Sequence, residues 1–563
     1  MWCKNCNIEV MGDKCPVCEA ATEEDIPAEI FWCPDCAVPV IIPLSAKDAC
    51  PLCSKKMRRL TTDIRPVFPE ERLLLAALLD RPTNAFMNRS VWASNNRYYI
   101  DGKAITLPSK IFAEADADSI AEKISAATVN SARFDDDVRK FVFANRYRLA
   151  TLKDEAADFV KDTAKNFPDE RIVISFSGGK DSTVVADIVV RALNNPALVH
   201  IFGNTTLEFP STLAYAARYR ANHPFAVFQR AVNDEQNFFD VCQDIGPPAR
   251  MMRWCCSMFK TGPISRVING LYRDQKILTF YGIRKSESVT RSKYNRVEGE
   301  AESIKIRRQT VASPIFFWKD ADVWLYILSE GLDFNSAYRL GYERVGCWCC
   351  PNNNLRAQFL SRIYMPKESA KWRAFLVDFA KKIGKPDPEV YVDSGKWKAR
   401  QGGNGLPSAN DVKLRFTNCT AEDHAKIYRL TRPFDDELVG LFVPFGKVAP
   451  ELGRKILGET IILDSKTNVP ILSISPFNQG TAVKIKTLNV ADHETLQRMA
   501  GYQVKKFNAC RKCLKCESLC RVGAISVGEK YFIDPSKCVH CKVCVTTKYL
   551  DGGCMMDRFL RTK

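Results

Sequence analysis

A chain of 563 residues with 46% hydrophobic and 26% charged side chains has the composition of a globular protein with several buried cores, which excludes a fibrous or disordered chain. Its longest clean apolar run, near Leu73 to Leu79, is far too short to span a bilayer. Met1-Trp2-Cys3-Lys4 opens no apolar signal segment, so a cytoplasmic protein without a membrane partner is expected.

Lys and Arg number 82 against 65 Asp and Glu, a net charge of +17. Nucleic acid is one partner such an excess suits. Residues 484–563 alone carry 16 basic and 7 acidic side chains, net +9, around eight cysteines. Thiolate-ligated iron–sulfur clusters are anionic, and basic residues near such clusters would offset them, which is the other reading of the excess. The 23 cysteines fall in three blocks, within 1–60, 242–419 and 510–554. Paired CxxC spacing without a secretion signal points to metal rather than disulfides.

Residues 1–60 hold Cys3-x2-Cys6, Cys15-x2-Cys18, Cys33-x2-Cys36 and Cys50-x2-Cys53. Each CxxC places two thiolates on one knuckle, and two knuckles complete a tetrahedron for zinc. Pairing in order gives one closed site from the first four and another from the last four; redox-active dithiols are the competing reading. The block is too short to fold on apolar burial alone, so metal would supply folding energy. Residues 61–150 name no chemistry. The pattern predicts a helix over 70–79, two strands around Asp101-Gly102, helices over 113–127 and 135–150, and Trp92, Tyr98 and Tyr99 in the core.

Residues 151–365 carry the central motif. A helix is predicted over 151–166. Ile172 to Ile174 and Phe176 then read as a buried strand, followed by Ser177, Gly178, Gly179, Lys180, Asp181 and Ser182, and by Val184, Val185, Ile188 and Val189 at helical spacing. Strand, glycine turn and helix bring free N–H groups and a helix N-terminus to one point, where a phosphate can be held. Lys180 adds a point charge and the serine hydroxyls can donate. GxxxxGK[ST] is absent, so this is not a Walker loop. Further strands are predicted over 198–204, 225–229 and 276–283.

SGGKDS resembles the pyrophosphate loop of the ATP pyrophosphatase and phosphoadenylyl-sulfate (PAPS) reductase superfamily. FGNTTLEFPST resembles the family's second motif through Asn204, Thr205, Glu208 and Pro210. GIRKSESVTR resembles its GxRxxES–R pattern through Gly282, Arg284, Glu287, Ser288 and Arg291, and Pro314, Trp318, Asp322 and Trp324 resemble a packing segment. The resemblance implies a doubly wound α/β nucleotide-binding domain. Ser177–Ser182, Asn204, Thr205, Glu208, Arg284 and Arg291 would contact an adenine nucleotide, with Lys180, Asp181 and Arg284 catalytic. If the nucleotide is ATP, Mg2+ near Asp181 is implied. Cys255-Cys256 with Cys347 and Cys350 resembles the 4Fe–4S site of assimilatory adenylyl-sulfate reductases, with zinc the competing ligand; Cys349 is an extra thiol. Those reductases usually lack the Lys-Asp pair in their phosphate loop, and their C-terminal ECG[LI]H motif is absent here. An intact SGGKDS instead resembles enzymes that split ATP to activate a substrate for sulfur insertion.

In 366–505 the sequence predicts a basic helix over 368–383, a solvated Gly-rich basic loop over 396–410, a buried Cys419, and strands over 456–490 that suggest a small barrel. In 506–563, Cys510-x2-Cys513-x2-Cys516-x3-Cys520 resembles the bacterial ferredoxin run, with Arg521 where Pro is usual, and Cys538-x2-Cys541-x2-Cys544 repeats it with Cys554 nine residues on. Since the fourth cysteine of each run serves the other cluster, the resemblance implies 4Fe–4S sets Cys510, Cys513, Cys516, Cys554 and Cys538, Cys541, Cys544, Cys520. The sequence thus favours ATP-dependent sulfur transfer, with nucleic acid a candidate acceptor and a ferredoxin or reductase as electron donor. The alternatives are reduction of adenylyl sulfate or PAPS to sulfite, and a non-catalytic redox-sensing nucleic-acid binder.

Overall fold

The apolar run that begins at Ile172 becomes the centre of a six-stranded sheet. In the computed structural model, which describes residues 2–3, 6, 8–9, 14–20, 27–44, 46, 48–272, 275–299, 309–547, 550 and 552–562, Ile172–Phe176 (β1) is buried on both faces, as a continuous apolar strand requires. It turns through the glycines into helix Lys180–Leu193 (α1). Val199–Asn204 (β2), helix Pro210–Asn222 (α2) and Val227–Val232 (β3) extend the sheet to one side. Helix Gly262–Tyr272 (α3), Ile277–Phe280 (β4), Val297–Glu298 (β5) and Gln309–Ala312 (β6) extend it to the other, followed by helix Asp320–Glu330 (α4). The strand order is β3-β2-β1-β4-β6-β5, parallel except where β5 runs against β6. Connections therefore diverge between β1 and β4, which opens a crevice at the carboxyl ends of those strands. This is the doubly wound α/β domain expected. The third strand lies two to three residues later than predicted, because Phe225 is solvent-exposed rather than in the ladder.

The N-terminal region differs from the sequence pattern in three ways. Residues 91–106 form three strands, Val91–Ser94, Arg97–Ile100 and Lys103–Thr106, not two. Asn95 takes positive φ and closes a first hairpin, and Asp101-Gly102, both at positive φ, close the second. The helix expected over 113–127 is split into Ile111–Glu114 and Ala117–Ser125, because Asp116 caps the amides of Asp118 and Ser119. The expected break at 150 moves to Asn145, between helices Ala132–Ala144 and Arg146–Ala164. Asn145 accepts from the Ile41 amide at 2.7 Å and donates to the Pro39 carbonyl at 3.2 Å, so a strand 104 residues away decides where the helix stops. Trp92, Tyr98 and Tyr99 are core residues, 1–2% exposed.

Strands Ala28–Cys33, Val38–Pro43 and Arg58–Thr61 make a small antiparallel sheet whose Ile30, Trp32 and Ile41 share one core with Phe176 and Val184. The second cysteine quartet is thus seated on the central domain, so apolar burial as well as metal would hold it. The expected edges at 60/61, 150/151 and 505/506 fall at or within continuous elements: Thr61 ends a strand, and helices run through 150 and 505.

Beyond 365 the helix is Pro366–Lys382. The 396–410 segment is not a solvated loop: Trp397, Lys398 and Arg400 are buried, and Arg400 donates to the carbonyls of Gly402, Ile245 and Pro247. The later strands form an open six-stranded antiparallel sheet rather than a barrel, with Phe416–Asn418 and Gly446–Ala449 at its edges. Cys419 is half-buried, not buried. Helix His493–Ala509 packs on this sheet and leads straight into Cys510.

Candidate functional site

The turn after β1 is held open by backbone geometry. Gly178 sits at φ +71°, where a Cβ would also meet the Thr212 methyl at 2.9 Å. Gly282, after β4, passes so close to α1 that a Cβ would lie 2.7 Å from the Asp181 carbonyl carbon and 2.8 Å from the Ser182 amide. That approach brings Arg284 to the start of α1. Ser182 Oγ donates to the Gly179 carbonyl at 2.8 Å and accepts from the Ser177 amide at 3.2 Å, which fixes the loop's curvature.

Four charges meet at this point. Lys180 Nζ lies 3.2 Å from Asp181 and 3.1 Å from Asp320. Arg284 donates to Asp181 at 2.5 Å and to Asp320 at 2.8 Å. Lys180 and Arg284 are 3% and 5% exposed. Burial pushes the Lys180 ammonium down, but the Asp181 and Asp320 carboxylates outweigh it and hold its pKa above the ordinary lysine value. Burial likewise opposes ionisation of Asp181, and the Arg284 and Lys180 charges overcome it, leaving its pKa well below the usual carboxylate range. Asp63 caps α4 by accepting from the Asp320 and Ala321 amides at 2.9 and 3.0 Å. Its own pKa is pushed up to about 6 by burial and by the Asp320 charge.

These groups line a cleft of about 840 Å³ that also takes in Ser177, Gly179, Ser182, Glu208, Lys260, Arg291, Arg344 and Gly346. Gly178, Asn204 and Thr205 lie outside its lining. Asn204 is buried and spends its carbonyl on the Thr206 amide at 2.8 Å. Thr205 donates to Glu208 at 2.8 Å and lies 3.4 Å from Cys347 Sγ. Arg291 pairs with Glu287. Asp320, Asp63 and Tyr338, whose hydroxyl accepts from the Lys180 amide at 3.1 Å, are site residues that no sequence motif marks. The only local signal is the acidic first turn of α4, where Asp322 proves structural, bonded to Arg148 at 2.6 and 2.7 Å.

The cysteine loop joins this cleft directly. Cys347 bridges Glu208 through the backbone, and the Trp348 amide donates to the Leu207 carbonyl at 3.0 Å. The Cys347 thiol is pushed up to about 12 by burial and by the Glu208 charge. Cys255 is raised by its contact with Cys256, by burial and by Cys347, while Cys350 is raised by burial and by Cys256. The four thiols thus act on one another, with Lys260 among the charges that act on Cys347 and Cys350. Cys349 is buried, and burial together with Cys347 and Cys242 raises its thiol.

At the N-terminus the sulfurs of Cys3, Cys6, Cys15 and Cys18 all lie within 4.8 Å of one another, as do those of Cys33, Cys36, Cys50 and Cys53. The Cys3–Cys18, Cys33–Cys53 and Cys36–Cys50 separations are 3.5, 3.6 and 3.9 Å. Zn–S bonds of ~2.3 Å in a tetrahedron give an S···S edge of about 3.8 Å, so both quartets could hold a metal ion of that size. In the C-terminal segment, the Cys513 thiol is raised by burial and by Cys554, Cys516 and Cys510, and Cys538 by burial and by Cys520 and Cys541.

A switch-point crevice with a glycine loop at its floor and paired cations beside it places this domain in the doubly wound α/β class. Residues 171–353 match the phosphoadenosine phosphosulfate reductase domain family. The chain is 31% identical over 259 residues to an uncharacterized protein of Methanocaldococcus jannaschii, covering 46% of this chain and 51% of that protein. It is 37% identical over 98 residues to the adenosine 5'-phosphosulfate reductase of Neisseria meningitidis serogroup A, covering 17% of this chain and 36% of that protein. The chain spans about half the length of the first of these relatives and about a third of the second. Among solved structures, the phosphoadenylyl-sulfate reductase of Candida auris aligns with TM-score 0.28 and 17% identity, covering 36% of this chain and 95% of that one.

Proposed function

We propose that the central domain binds an adenine nucleotide on Ser177–Ser182 and carries out sulfur chemistry at the adjoining cysteines, with ATP-dependent sulfur transfer as the reaction. The supporting observation is continuity: one cleft runs from the glycine loop to Lys260 and Gly346, where the cysteine loop begins. The loop amides and Lys180 stabilise charge developing on the phosphates. Arg284 and Asp320 hold Lys180 and Asp181 in place, and Asp181 is the carboxylate best placed to meet Mg2+ when ATP is bound.

Cys255, Cys256, Cys347 and Cys350 would hold a 4Fe–4S cluster, because adjacent cysteines suit the corners of a cubane better than one tetrahedral ion. Such a cluster supplies redox-active iron beside the nucleotide. The ferredoxin-like sets would hold two more, fed by a ferredoxin or reductase, and the N-terminal quartets would hold zinc. Nucleic acid is the acceptor class we favour, on the +17 net charge. Reduction of adenylyl sulfate is the second reading, favoured by the relatives that carry that activity in their names. Anaerobic incubation with ATP and a sulfur source is expected to release pyrophosphate. Sulfite formed from adenylyl sulfate, with no pyrophosphate from ATP, would instead establish the reductase reading, and salt-sensitive nucleic-acid binding without either product would leave only a binder.

The N-terminal sites give a separate prediction. Two zinc ions per chain are expected by elemental analysis, one per quartet. Chelation should expose Trp32, now 1% exposed, as a red shift in tryptophan fluorescence, while the parallel sheet keeps its circular dichroism. A metal-free chain with an unshifted spectrum would make these quartets dithiols.

A further inference from the structure

Helix His493–Ala509 carries two adjacent lysines with opposite surroundings. Lys505 is paired with Asp557 at 2.7 Å. Lys506 is 1% exposed, donates to the Cys544 carbonyl, and lies 5.5 Å from the centre of the Tyr531 ring. Among the described residues no carboxylate pairs with it. Its own carbonyl accepts from the Cys510 amide at 2.9 Å, while its ammonium reaches the Cys544 carbonyl. Cys510 belongs to one ferredoxin-like set and Cys544 to the other, so Lys506 stands between the two.

A buried ammonium without a counter-ion costs several kcal/mol and is rarely retained. Neutral thiols cannot balance it. Thiolates bound to iron can, and they leave each set with a net negative charge that grows by one when an electron is taken up.

We propose that Lys506 is the built-in counter-ion of the two C-terminal cysteine sets and raises the reduction potential of the clusters they hold. This rests on the iron–sulfur reading above. Lys506 favours the more negative, reduced state of whichever set it faces, so it makes uptake of an electron from the donor easier. Placed between the sets, it also couples them: reducing one draws on the same cation that serves the other. Lys506 touches no substrate and is a tuning residue.

The test is a reductive titration of the full-length, anaerobically purified protein with dithionite, followed by electron paramagnetic resonance, with iron and sulfide counted. Lys506→Met is expected to load its clusters and to move at least one midpoint to more negative potential, while Lys506→Arg stays near wild type. Should Lys506→Met fail to load while Lys506→Arg loads, the charge requirement is again met. A loaded Lys506→Met protein with unchanged midpoints overturns the proposal, as does equal failure of both variants, which would mark a purely steric role. Zinc instead of iron in the wild-type C-terminal segment would overturn the iron–sulfur reading itself, a result distinct from either.

Discussion

Replacing Lys180 by Ala should lower pyrophosphate release from ATP by ~10²–10³-fold, the usual consequence of deleting one preorganised charge from a site where phosphate charge develops. The geometry makes this sharper than loss of a surface cation. Lys180 is buried against the Tyr338 ring, and its ammonium is shared between Asp181 and Asp320. Removing it leaves two half-buried carboxylates with Arg284 alone, so the bound phosphate would meet net negative charge. Nucleotide affinity should fall with turnover, measurable by calorimetry on the same sample. Because the Lys180 pKa is held above its ordinary value, the wild-type rate should show no loss from this group anywhere between pH 6 and about 10. Full activity in Lys180→Ala would refute the site. Asp320→Asn should produce a smaller loss of the same kind, since Asp181 remains to hold both cations.

The second large effect concerns stability. Glu71→Ala is expected to cost about 3–5 kcal/mol, read as a fall in the urea midpoint. Glu71 is fully buried and accepts from Arg65 at 2.6 and 2.7 Å, from Arg356 at 2.6 Å and from the Tyr98 hydroxyl at 2.8 Å. Truncation would leave two buried guanidiniums with neutral partners at Pro66, Asn95 and Tyr98, and with Glu343 as the one remaining carboxylate paired with them among the described residues, at 4.0 and 3.7 Å. Burial opposes the Glu71 charge, but Arg65 and Arg356 overcome it and lower its pKa. The sign follows. A depressed carboxyl pKa contributes stability that is present above the unfolded value of about 4.3 and is lost as pH falls through the lower, folded value. Wild type should therefore lose stability on acidification in a step that Glu71→Ala lacks. Coincident acid curves for the two would show that the network contributes nothing. Arg65 also lines the cleft, so this variant should raise the KM for nucleotide as well.

What the chain reveals by its sequence is local. The strand, glycine turn and helix of 172–193 lie in one continuous stretch, and each CxxC reports its own knuckle, so the glycine turn and the two N-terminal cysteine quartets are legible from residue order. What stays hidden depends on partners far along the chain. Asp63 meets Asp320 across 257 residues, Asn145 ends a helix because Ile41 donates to it, and Lys506 stands out only once both cysteine runs close around it. Asn204 is a different case: its motif position is clear, but its carbonyl is consumed by the next turn of backbone. The buried 396–410 segment misleads because Arg and Gly suggest solvent, whereas Arg400 fills its guanidinium with three backbone carbonyls.

Arg266 of α3 donates to Glu517 at 3.0 and 3.2 Å and to the Val527 carbonyl at 2.9 Å, Ser257 donates to Met555, and Arg511 joins Asp244 and Asp411. Met555 follows Cys554 and Ser257 follows Cys256, so the last cysteine segment is bolted to the middle one rather than tethered by a linker. Under the proposed iron–sulfur reading this favours transfer across a fixed gap over a swinging arm, at a rate that neither viscosity nor ionic strength should change.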